Sequence, residues 1–378
     1  MIKKKEGIMQ NNSWQEDWRN NISDAKKLYE NGLITKEQIG KYQEVIDKFP
    51  LSIPQYYSNL IKEKSESDPI YKMCVCSVAE DNVTGSFDTS GECENTVLEG
   101  IQHKYGNTVL ILSTNVCAMY CRHCFRKRMV GQSEDEVLEF VDKAVNYISA
   151  HPEVDNILIT GGDAFMNSNK VIEKYLSKMT AISHLKFIRF GTRVPVVFPQ
   201  RILNDPELIS ILEKYSKIKP IYVVTQFNHP NEITTQSKSV SKLLMKLGIP
   251  MLNQTVLLAG VNDNQETLVE LFNLLVQNSI TPYYLFQCRP VKGVKGNFAI
   301  PLLNAVELVD RTRANLSGVA KRFKFIMSHY VGKIEIIGKL NYNQLLLKQH
   351  QTKDKERVNK IYLVSVGQND TWLDDDFA

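Results

Sequence analysis

Short apolar runs separated by longer amphipathic stretches set the rhythm of this chain from residue 108 onward. The runs at 108–113, 156–160, 187–191, 221–227, 251–257 and 282–287 are rich in Val, Ile, Leu, Phe and Tyr. Nearly continuous apolar runs are the pattern of parallel strands covered on both faces. Between them, 134–149, 168–180, 205–215, 232–247, 264–278 and 302–316 carry helical spacing. Six successive β-then-α units predict an α/β fold of parallel strands joined by crossover helices. Period alone leaves a doubly wound sheet and a partial barrel both open. In either, ligands are expected at the carboxyl ends of the strands.

The flanks read differently. Residues 1–100 predict a helical extension: Ser13 and Glu16 have capping-box spacing, and Thr35 with Gln38 opens another helix. The stretch 81–99 is polar and aperiodic and reads as a loop. Beyond 322, short strands are expected at 323–327, 333–337 and 360–366, and the acidic end from 369 to 378 is expected to fray. The organisation expected is therefore an N-terminal extension (1–100), a βα core (101–322) and a small β-containing C-terminal extension (323–378).

Composition narrows the class. The chain is 43% hydrophobic and 23% charged, as ordinary globular proteins are. A net charge of +4, from 46 basic and 42 acidic residues, argues for no nucleic-acid partner. No apolar run approaches the roughly 18 residues of a membrane span. The basic start lacks the apolar core of a secretory signal. A cytoplasmic protein with no membrane partner is expected.

Chemistry concentrates in the cysteines. Of seven, Cys117, Cys121 and Cys124 fall within eight residues, directly after the first strand of the core. Soft thiolates suit iron–sulfur clusters or zinc. Three thiolates on a four-iron cube leave one iron open to an outside ligand. Zinc wants a fourth ligand, and His123 lies between two of the cysteines, which suits a tetrahedron poorly. A non-catalytic iron–sulfur binding protein wants a fourth cysteine, and none lies nearby.

This spacing, with Tyr120 before the second cysteine, resembles the radical S-adenosylmethionine superfamily, for which a partial barrel of six βα units is the expected fold. The runs YCRHCFRKR (120–128), TGGDA (160–164), PVVFPQR (195–201), FNHPNEIT (227–234), GVND (260–263) and PYYLFQC (282–288) more narrowly resemble the lysine 2,3-aminomutase family, from about residue 13 to about residue 340. The resemblance implies a [4Fe-4S] cluster on Cys117, Cys121 and Cys124, with S-adenosylmethionine on the open iron, and pyridoxal phosphate as a further cofactor. It also implies an amino-acid substrate, an electron donor such as flavodoxin or ferredoxin, and a tendency to self-associate.

Several site residues follow from the resemblance. Gly161, Gly162 and Asp163 would meet S-adenosylmethionine, although a tight turn after a strand has the same composition. Gln254 would lie near the adenosine. Lys333, after Gly332, would hold pyridoxal phosphate as an imine, which requires a lysine that loses its proton easily. Lys104 and Tyr105 would contact the phosphate and ring, although a solvated pair at a strand entrance reads the same way. Arg126 would grip the substrate carboxylate through its fork, while Lys127 and Arg128 read equally as a solvated basic cluster. Lysine-specific members hold the distal ammonium with two aspartates, whose places here fall to Arg289 and to Ser328. Another basic residue of those members is replaced by Thr108. A cation does not hold a cation, so an acidic substrate such as glutamate is expected rather than lysine. Lysine itself, or a different radical outcome, are the alternatives.

Overall fold

The structure is a computed structural model that describes residues 14–81, 84–132, 135–375 and 377. Ser13, and with it the first capping box, lies outside the described residues. The second is present: the Thr35 backbone N–H donates to Gln38 Oε1 at 2.8 Å and opens the turn that leads into the helix Ile39–Lys48.

Among the described residues twelve strands form one sheet in chain order: β1 (Thr96–Leu98), β2 (Ile101–Tyr105), β3 (Thr108–Thr114), β4 (Asn156–Gly161), β5 (Phe187–Gly191), β6 (Ile221–Thr225), β7 (Met251–Leu257), β8 (Ile280–Gln287), β9 (Lys324–His329), β10 (Gly332–Lys339), β11 (Gln344–Gln351) and β12 (Ile361–Ser365). From β3 to β9 all neighbours are parallel. Six crossover helices link them: Val141–Ser149, Asn169–Thr180, Pro206–Ser216, Thr235–Lys246, Gln265–Gln277 and Leu302–Ala314. This is the partial barrel of six βα units, with β9 as a seventh parallel strand. Antiparallel β1 and β2 extend one edge, and β10 to β12 the other. Four of the crossover helices are capped by Ser168, Asp205, Thr234 and Asn264, each accepting the backbone N–H of the third helical residue. One hydrophobic core runs through all three segments, from Trp14 to Leu373. Among the described residues no helix is long and apolar enough to cross a membrane.

Three expectations change. The first crossover helix begins at Val141 rather than near 134, because Leu138 donates its N–H to Leu112 O (2.8 Å) and runs along the end of β3 instead. The stretch 81–99 contains a helical turn, Glu92–Asn95, and the strand β1. The described part of the C-terminal segment, 369–375 and 377, is docked. Asp370 O accepts from Leu302 N at 2.7 Å, Leu373 is buried, and Trp372 and Phe377 pack their rings at 5.9 and 5.3 Å from that of His329. Three apolar side chains among the acidic ones are enough to dock it.

Candidate active site

The loop after β3 carries the three cysteines, and the N-terminal extension clamps it. Tyr120 N donates to Ser52 O (3.0 Å), Arg122 N to Met73 O (3.0 Å), and Asn21 Nδ2 to Ala118 O (2.9 Å). The Arg122 guanidinium reaches Pro50 O at 2.9 Å and forms a buried ion pair with Glu80. Lys127 joins the same carboxylate, and burial followed by Arg122 pushes its ammonium down to about 8. The pair Lys127 and Arg128 is therefore no solvated cluster: Arg128 bridges Glu92 and Glu136 at 2.8 and 2.7 Å.

The two glycines after β4 serve this loop. Gly161 has φ +117°, and a Cβ there would stand 2.4 Å from Thr114 O; one on Gly162 would stand 2.4 Å from Val116 O. The backbone approach that they permit is to the cysteine loop itself, sealed by Gly162 N to Thr114 O (2.6 Å) and Asp163 N to Val116 O (2.8 Å). Asp163 is buried. Its carboxylate accepts the backbone N–H groups of Phe165, Arg193 and Val194 at 2.7–3.1 Å, and burial raises its pKa despite them.

Burial, then the charges of Asp163 and the two companion sulfurs, holds the Cys117 thiol well above its usual range. Burial and the Cys121 charge push Cys124 up to about 11. Sulfurs that hinder one another's ionisation in this way fit a cationic multi-iron cluster, whose positive charge keeps its ligands as thiolates. Among the described residues no group of three His, Cys, Asp or Glu side chains is arranged for a single metal ion. His123 turns away from the sulfurs: its Nε2 meets the Gln226 and Asn228 amides at 2.9 and 3.2 Å. Arg193 was invisible in the sequence pattern. Its Nη1 donates to Cys121 Sγ at 2.7 Å, its Nε to Gln226 O at 3.0 Å, and it pairs with buried Glu232. Burial opposes its charge, but Cys121 and Glu232 hold its pKa up.

A second group of residues gathers beside this loop. Arg126 and Arg289 lie 4.6 and 4.1 Å from the Phe125 ring centre. Arg126 Nε and Nη2 both donate to Glu92 Oε1, at 3.1 and 2.9 Å, and its Nη1 to Gly161 O at 3.3 Å. Arg289 donates instead to hydroxyls, Ser90 and Ser328 Oγ, both at 2.9 Å. Ser328 and Arg289 thus meet, as the aspartate positions of the resemblance imply. Glu92 escaped notice because it lay in what reads as a polar loop.

Lys333 opens β10. Its Nζ donates to Gln351 Oε1 at 2.9 Å and stands 5.3 and 5.0 Å from the rings of Tyr105 and Tyr284. Some of its surface stays open, but protein crowds it on every side. Burial first, then Arg189, Arg289 and Lys104, bring it down to about 7. Lys104 is likewise brought down to about 7, mainly by burial, and its ammonium is held by the carbonyls of Ser90 (2.6 Å) and His329 (2.7 Å). A buried amine that sheds its proton near neutrality, with aromatic rings and cations around it, fits pyridoxal phosphate. Gln254 lies on β7 opposite Tyr284 of β8 in register. The structure thus brings Lys333, Tyr105, Lys104 and Arg289 near one another, with Arg289 and Arg126 on the same Phe125 ring beside the cysteine loop.

A family model described as the radical SAM superfamily matches residues 111–272, the stretch that holds the cysteine loop and five of the parallel strands. With that loop at the carboxyl end of β3 of a partial barrel, the chain is a radical S-adenosylmethionine enzyme. A protein of Aquifex aeolicus whose name assigns it provisionally as an L-lysine 2,3-aminomutase is 36% identical, over 94% of both chains. The L-lysine 2,3-aminomutase of Clostridium subterminale is 37% identical, over 81% of this chain and 73% of its own. The glutamate 2,3-aminomutase of Clostridioides difficile is 34% identical, over 82% of this chain and 74% of its own. The chain belongs to the lysine 2,3-aminomutase family. It is an isomerase whose cofactors are a [4Fe-4S] cluster, S-adenosylmethionine and pyridoxal phosphate.

Proposed function

We propose that the chain is a 2,3-aminomutase for an α-amino acid that carries a second carboxylate, such as glutamate. The observation that carries this reading is the pair of guanidinium groups, Arg126 and Arg289, on the Phe125 ring beside the cysteine loop. Two forks in one buried space suit a dianion, since each binds a carboxylate with two parallel N–H donors. Arg289 is the more available of the two. Its nitrogens rest on the neutral hydroxyls of Ser90 and Ser328, whereas Arg126 already shares Glu92. A lysine side chain would bring a third cation to this space, against several kcal/mol of repulsion at an order-of-magnitude level.

Cys117, Cys121 and Cys124 hold the cluster in this reading, and Gly161, Gly162, Asp163 and Gln254 border S-adenosylmethionine. Lys333, Lys104 and Tyr105 hold pyridoxal phosphate. When bound, the cluster and S-adenosylmethionine supply a carbon radical that takes a hydrogen from the substrate, and the pyridine ring spreads the unpaired electron as the amino group migrates. The protein places and shields. Lys333 offers an uncharged amine near neutral pH because burial and its cationic neighbours disfavour its proton. The rings of Tyr105 and Tyr284 stand 5.3 and 5.0 Å from that nitrogen. Arg126 and Arg289 orient the two ends of the substrate.

Anaerobic incubation of the reconstituted enzyme with glutamate, aspartate and lysine, followed by chromatography of the β-amino acids, tests the proposal. A β-amino acid from glutamate or aspartate is expected. Turnover of lysine with neither acidic substrate converted would overturn it.

A further inference from the structure

Arg189 sits on β5 between Ile188 and Phe190, both fully buried on the opposite side of the strand. Its Nη2 donates to the amide oxygen of Asn156, a neutral acceptor. Its Nε is buried with no hydrogen-bond partner. Asn156 is itself engaged by Asn107 O (3.1 Å), Thr108 Oγ1 (3.0 Å) and Asp155 Oδ1 (2.8 Å), and Asp155 is taken up by Lys186 at 3.1 Å. After burial, Arg189 is the largest charged influence on Lys333. The other two charges that act on Lys333 are also cations. Lys104 has two carbonyls and Arg289 two hydroxyls, but Arg189 keeps a desolvated donor unused. Leaving a donor unpaired in the interior is unfavourable, and Asp155 and the Phe187 ring only partly offset the Arg189 charge that burial disfavours. Both are relieved by one anion within reach of Lys333.

We infer that Arg189 is a further ligand, beside Lys104, for the phosphate of the pyridoxal group that Lys333 captures, with its Nε and an Nη donating side-on to two phosphate oxygens. The inference rests on the reading of Lys333 given above. It also divides the site: Arg126 and Arg289 serve the substrate beside the cysteine loop, and Arg189 serves the cofactor from the opening residues of β3 and β4, where Thr108 and Asn156 bring only neutral groups.

The test compares two aldehydes on the full-length, anaerobically prepared protein stripped of its chromophore: pyridoxal phosphate, and pyridoxal, which lacks the phosphate. Binding is followed by visible absorbance and by mass analysis of the Lys333 peptide after borohydride trapping. Wild type is expected to favour pyridoxal phosphate at least a hundredfold. Arg189→Met should cut that preference tenfold or more, and Arg189→Lys, which keeps the charge but not the fork, should lie between. The ratio cancels any change in the protonation of Lys333 itself, and retained pyridoxal capture shows that the variant is folded. A preference within twofold of wild type in Arg189→Met overturns the assignment. Equal affinity of wild type for both aldehydes overturns it too, whatever the variant does, and leaves the reading of Lys333 intact. Capture of neither aldehyde by wild type removes that reading and the assignment together.

Discussion

A lysine in a model peptide titrates near 10.4, so at pH 7 roughly one molecule in a few thousand offers a free amine. Lys333 is brought down to about 7, first by burial and then by Arg189, Arg289 and Lys104, so about half of the molecules should offer one at that pH. The gain in reactive amine is about a thousandfold, and it belongs to the fold before any cofactor binds. Trace acetylation across the pH range, followed by mass spectrometry of the Lys333 peptide, reads the midpoint directly. The expected midpoint is near 7, with labelling falling as the pH drops below it. The sign of one further change is fixed. A neighbouring cation disfavours the protonated amine, so Arg189→Met makes protonation easier and moves the midpoint upward. A wild-type midpoint near 10, or a downward move in the variant, refutes the argument.

Other outcomes follow from single contacts. Glu80→Gln leaves buried Arg122 and Lys127 without their carboxylate and should cost about 3–5 kcal/mol of stability by urea unfolding; a loss below about 1 kcal/mol would mean that other acceptors suffice. Serine at Cys117, Cys121 or Cys124 should abolish iron and sulfide uptake on anaerobic reconstitution, while Cys74→Ser, at a buried thiol that donates to Ile70 O, should leave the iron count unchanged. Gly162→Ala drives a methyl against Val116 O, so iron content should fall even though no ligand is altered. Arg289→Gln should raise KM for glutamate tenfold or more, since a charge-assisted bond is worth about twice a neutral one; an unchanged KM would place the distal carboxylate elsewhere.

What the chain order alone determined was the rhythm and the clustering of the three cysteines. Parallel strands buried on both faces must be continuous apolar runs, so the six βα units were legible, and three thiols within eight residues must share a loop. Local patterns also marked Thr35 with Gln38 as a helix start, because a cap is made by residues three apart. β11 escaped because Gln344–Gln351 runs three leucines together and then Lys, Gln, His and Gln, with no two-residue alternation, and such a strand takes its identity from the partners on either side. The polar stretch before β2 showed no period, yet it delivers Glu92 and Ser90 to the site. Only the tertiary structure decided that Arg193 stands against Cys121 across 72 residues, and that Glu80 anchors the cysteine loop from the N-terminal extension. It alone set the surroundings of Lys333, whose proton is disfavoured first by burial and then by Arg189, Arg289 and Lys104, all distant from it in sequence. Burial and the charge of neighbours are properties of the packed chain, and no spacing of residues encodes them.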